Sequence, residues 1–78
     1  MTKEEKAMYK EKKPIAVCPM YTFGGVEILE IIDSIDGQYV VALYNDRLHR
    51  VRVRYNSQLE PYVIIESMQI PLANFMRV

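Results

Sequence analysis

The sequence predicts a mostly β domain: a small antiparallel meander of about five short strands, curled into a barrel-like sheet. Three observations predict it. Short runs rich in Val, Ile and Tyr recur at close spacing, and turn signals at Asp36-Gly37, Asn45-Asp46 and Asn56–Pro61 separate them. In Tyr39–Tyr55, YVVALYNDRLHRVRVRY, two strand-like runs flank Asn45-Asp46, and the second carries Arg50, Arg52 and Arg54 at every other position. The chain has 78 residues, 50% apolar and 26% charged, which fits one small folded domain over residues 14–78.

Residues 1–13, MTKEEKAMYKEKK, read as a short charged helix or a disordered charged tail. Thr2 and Glu5 have capping-box spacing, and Pro14 stops any helix there, because the residue before proline avoids the α region. Ile15–Met20 reads as an edge strand or a lead-in, since Pro19 has no N–H to give a ladder. Tyr21–Gly25 reads as a loop. In Val26–Asp33 the β-branched content outweighs the partial helical spacing of the isoleucines, so this segment is expected as a strand. Asp36-Gly37 then turns it back on Tyr39.

Tyr39–Tyr55 is a hairpin folded at Asn45-Asp46, two residues that tolerate the left-handed conformation. Any even loop length fixes its faces by parity. Val40, Ala42, Tyr44, His49, Val51, Val53 and Tyr55 share the core face. Tyr39, Val41, Leu43, Leu48, Arg50, Arg52 and Arg54 share the other, which mixes apolar and cationic residues. Asn56–Pro61 is a polar turn before a strand at Tyr62–Met68. Pro71 opens a turn or short 3₁₀ piece, and Phe75–Val78 is a closing strand that lays Phe75 into the core.

Charge is neutral in total and uneven along the chain. Residues 1–13 net +2, residues 14–46 hold five acids and no Lys or Arg, and residues 47–54 carry four Arg. The arginines at 50, 52 and 54 stand at intervals of about 6.6 Å on one strand face, close to a nucleic-acid phosphate spacing. Whether that strip stays open, or pairs with Glu27, Asp33 or Glu66, decides what it does.

Nothing in the residues specifies catalysis or a metal. His49 is the only histidine, and its nearest carboxylate in sequence is Asp46 in the turn. Glu27, Glu30 and Asp33 lack the facing geometry of paired acid–base carboxylates. Cys18 is the only cysteine and sits among apolar residues, as an inert thiol does. No cofactor site is expected. The lone cysteine excludes an internal disulfide, no apolar run nears the roughly 20 residues of a membrane span, and the lysine-rich N-terminus has no signal-peptide core. A cytoplasmic setting without membrane contact is the expectation.

Val41–Asp46, VALYND, resembles the ALYDY motif of Src-homology-three domains, and Ile70–Phe75, IPLANF, is similar to their closing IPSNY turn. The resemblance covers about a dozen residues and implies a Src-homology-three-like small barrel. It departs from the family in order, because most of the sheet precedes the motif here, and in lacking any Trp. Binding of proline-rich ligands therefore does not follow, and no family is assigned.

The residues point to a small non-catalytic module that binds another protein through Tyr39, Arg50, Arg52 and Arg54. The alternative is a nucleic-acid-binding domain that uses the same arginine strip. Accessory and inhibitory proteins, including those carried by phages and other mobile elements, are commonly of this size.

Overall fold

The computed structural model of the chain describes residues 12–19 and 23–78. The helix or tail expected over residues 1–13 falls on residues 1–11, outside the described residues, and on Lys12 and Lys13, which have no regular structure. The described residues form eight strands: β1 (Ala16–Cys18), β2 (Val26–Ser34), β3 (Gly37–Tyr44), β4 (Arg47–Arg52), β5 (Arg54–Tyr55), β6 (Pro61–Ile65), β7 (Met68–Pro71) and β8 (Met76–Arg77). All pairings are antiparallel. The mostly β architecture is as the sequence predicts.

The expected barrel is not closed. The strands make a five-stranded sheet, ordered β4-β3-β2-β1-β8, and a separate three-stranded sheet, ordered β5-β6-β7. The physical reason lies at Val53. Its N–H donates to Gln38 O at 2.8 Å, which carries the β3–β4 pairing one step further. The next residue, Arg54, pairs instead with Tyr62 on β6. One continuous segment thus leaves the first sheet and enters the second, with Val53 buried at the crossing.

Two short strands were read differently from the sequence. Ala16–Cys18 is not an edge: it pairs with β2 on one side and β8 on the other, and Pro19 falls just past its last paired residue. Tyr62–Met68 is not one strand. Glu66 and Ser67 take φ of +48° and +69°, which folds β6 back on β7 as a two-residue hairpin. The rise from about five strands to eight comes from this hairpin, the break at Val53 and the pairing of Ala16–Cys18 on both of its sides.

The core lies between the sheets. Val26, Ile28, Val40, Ala42 and Tyr44 from the larger sheet meet Val63, Ile65 and Ile70 from the smaller, with Cys18 and Val53 in the same cluster. Phe75, following the 3₁₀ turn Leu72–Asn74, packs against this cluster half-buried. The register confirms the hairpin parity: Val40 stands opposite Val51, Ala42 opposite His49, and Tyr44 opposite Arg47. Tyr55 departs from it. Beyond the crossing it belongs to the other sheet and is 58% exposed.

Two turns are shaped by particular residues. Asn45 and Asp46 both take left-handed φ, +53° and +57°, as their hairpin requires. In the Asn56–Pro61 turn, Asn56 Oδ1 accepts from the N–H groups of Gln58 and Glu60, both at 2.9 Å, in an Asx arrangement.

Candidate functional site

Arg50 and Arg52 project from β4 on the outer face of the larger sheet, opposite Val41 and Tyr39 respectively. Arg54 follows from β5 after the crossing. All three are exposed. With Val51 and Ile64 they line an open depression of about 310 Å³, so the arginines singled out from sequence do converge. A wider hollow of about 620 Å³ adjoins it, lined by Gly37, Gln38, Arg52, Val53, Arg54 and Tyr55. Arg52 and Arg54 therefore border both.

Tyr39 joins the cluster as a support. Its ring lies 5.3 Å from the Arg50 guanidinium carbon, a cation–π contact. Its hydroxyl donates to Asp36 Oδ2 at 2.8 Å, and Ser34 Oγ donates to Asp36 Oδ1 at 2.5 Å. These two hydrogen bonds, that from Ser34 first, hold the Asp36 carboxyl below its ordinary range, with a smaller pull from Arg52. The same bond to Asp36 pushes the Tyr39 phenol up, because losing its proton would leave two anions side by side.

Arg52 fixes the β2–β3 turn from the other side. Its Nη2 donates to the backbone carbonyl of Asp36, and its guanidinium lies over Gly37. A Cβ at Gly37 would sit 3.0 Å from Arg52 Nε, and φ there is +139°. The positive φ favours glycine, and a Cβ would also press the Arg52 guanidinium aside.

The acids do not neutralise the strip. Glu27 stands opposite Leu43, not opposite an arginine. Asp33 Oδ1 accepts from Gln38 Nε2 at 2.9 Å. Glu30 lies 3.5 Å from Lys12 Nζ, and Glu66 lies 3.2 Å from His49 Nε2. Among the described residues, none of Arg50, Arg52 and Arg54 forms an ion pair with a carboxylate. An acidic strand does lie beside β3, but Glu30 and Asp33 are engaged elsewhere and Glu27 stands opposite Leu43.

The His49–Glu66 approach was not legible in the sequence, because 16 residues lie between the two, with His49 on β4 and Glu66 in the β6–β7 turn of the other sheet. His49 Nε2 is buried, and the Glu66 oxygen stands off its N–H direction, so the atom has an ionic neighbour without a directed hydrogen bond. Sequence reasoning also missed Ile64 at the arginine depression and Tyr55 at the adjoining hollow. Both owe their place to the crossing at Val53, which no local pattern announces. A further hollow, lined by Asn56, Glu60, Pro61, Tyr62, Gln69 and Pro71, has a volume of about 160 Å³. That is small beside the 300 Å³ or more typical of small-molecule pockets.

Among the described residues, no helix is long and apolar enough to cross a membrane. No protein-family model, curated protein or solved structure matches the chain.

Proposed function

We propose that the chain is a non-catalytic module that binds an acidic stretch of another protein along Arg50, Arg52 and Arg54. One observation carries this reading: three exposed guanidiniums, none in an ion pair with a carboxylate among the described residues, converge with Ile64 on one open depression. Guanidinium forks bind carboxylates bidentately, and a row of them steers an acidic partner into register. Ile64, and Tyr55 in the adjoining hollow, add apolar surface of the kind protein interfaces bury.

Nucleic-acid binding is the second reading, favoured by the same cations and their strand spacing. It loses the stacking platform the sequence suggested. Arg50 already covers one face of the Tyr39 ring, and Asp36 holds its hydroxyl.

Titration of the labelled protein with a glutamate-rich peptide and, separately, with a single-stranded oligonucleotide separates the readings. The peptide is expected to shift the NMR signals of Arg52, Arg54, Tyr55 and Ile64. A triple Arg→Ala change at 50, 52 and 54 should weaken that binding at least about tenfold, or 1.4 kcal/mol. Salt-dependent oligonucleotide binding without a peptide response selects the second reading, and no response to either ligand removes both.

A further inference from the structure

The larger sheet ends at β4, and the free side of that strand lies beside the arginine row. Val53 N–H donates to Gln38 O, so Gln38 and Val53 are a hydrogen-bonded pair of the antiparallel ladder. Hydrogen-bonded and non-hydrogen-bonded pairs alternate, which turns the backbone groups of Arg47, His49 and Val51 toward β3. The N–H and C=O groups of Leu48, Arg50 and Arg52 therefore face away from β3. Among the described residues β4 pairs with β3 alone, and no backbone hydrogen bond reaches those three residues from the other side. Arg54, of the same parity, pairs with Tyr62 on β6, so the free edge of β4 looks toward the smaller sheet. The open depression of about 310 Å³ lies there, lined by Arg50, Val51, Arg52, Arg54 and Ile64.

We infer that the acidic stretch bound by the arginine row enters this depression as an extended strand and adds to the edge of β4. The inference rests on the acidic-partner reading and names the form of that partner: a segment with Asp or Glu at every second position. An added strand satisfies the outward N–H and C=O groups, which supplies affinity whatever its sequence. Its side chains alternate as those of β4 do. One set falls beside Arg50 and Arg52 on the outer face, and the next falls beside half-buried Val51. Acids in the first set meet the guanidiniums as cross-strand pairs, and apolar residues in the second meet Val51. The same arginines exclude a second copy as the occupant. Charged edge strands resist indiscriminate pairing, and two copies of this edge would set cation against cation.

Amide hydrogen exchange on the full chain tests this with a synthetic peptide of alternating Glu and Val. At saturating peptide the amides of Leu48, Arg50 and Arg52 are expected to exchange at least about tenfold more slowly, while those of His49 and Val51, already turned to β3, keep their rates. Peptide binding without that alternate protection overturns strand addition and leaves the acidic-partner reading standing. No binding at all removes both. A second peptide of the same composition, with its glutamates and valines in separate blocks, should bind at least about tenfold more weakly, because only an alternating strand presents every acid to one face. Equal affinity of the two peptides also overturns strand addition.

Discussion

Val40 and Ala42 on one face of β3, and Tyr39, Val41 and Leu43 on the other, hang from the same backbone and meet different surroundings. The inner pair packs into a hydrophobic cluster fed by both sheets. The outer set has Arg50, Leu48 and Arg52 as cross-strand neighbours, and its order depends on hydrogen bonds and a cation–π contact as much as on burial. The comparison teaches that one strand serves as structure on one side and as a charged surface on the other. Alternation alone accomplishes this.

The largest expected contrast between the faces comes from paired truncations. Ile28→Ala removes a side chain that is 4% exposed in the shared cluster and should cost about 2–5 kcal/mol in denaturant unfolding. Leu43→Ala, on the half-buried outer face, should cost about 1 kcal/mol, in proportion to its smaller burial. Equal costs would break the distinction between the faces.

Next in size is Gly37→Ala. The added Cβ meets Arg52 at 3.0 Å, and the backbone stays at a φ of +139° that alanine disfavours. A loss of about 1–3 kcal/mol is expected, together with a displaced Arg52 guanidinium. A neutral Gly37→Ala would show that Arg52 does not pack on the turn.

The smallest effect is the pH dependence of the Asp36–Tyr39 pair. Asp36 is lowered from 3.8 and Tyr39 is raised from 10.0, mainly through their hydrogen bonds. The stability they contribute is present from pH 3.8 to pH 10.0; it is lost as pH falls through the lowered Asp36 value, and as pH rises through the raised Tyr39 value. Ultraviolet titration should show one phenol ionising later than the ordinary tyrosine, and Tyr39→Phe should remove that step. A Tyr39→Phe spectrum that keeps the late step places it on another tyrosine.

Particular residues show how far the sequence could be read. Asn45-Asp46 announces its turn because short polar side chains accept the left-handed backbone. Glu66-Ser67 takes the same conformation without announcing it: neither residue favours it, and the pairing of Val63 with Ile70 and Ile65 with Met68 imposes it from outside. The three arginines were legible as a strip, since alternation is a local property. Their freedom from the acids was not, because it depends on where Glu30, Asp33 and Glu66 find other partners.

By itself, then, the sequence determined the β class, the hairpin at Tyr39–Tyr55 and the division of its residues between two faces. Each of these follows from period-two geometry and turn chemistry within a few residues. Only the tertiary structure decided that the strand crosses between sheets at Val53, that the barrel stays open, and that Tyr55 and Ile64 join the arginines. Those outcomes turn on which distant strand takes up the next backbone hydrogen bond, and a local pattern carries no record of that choice.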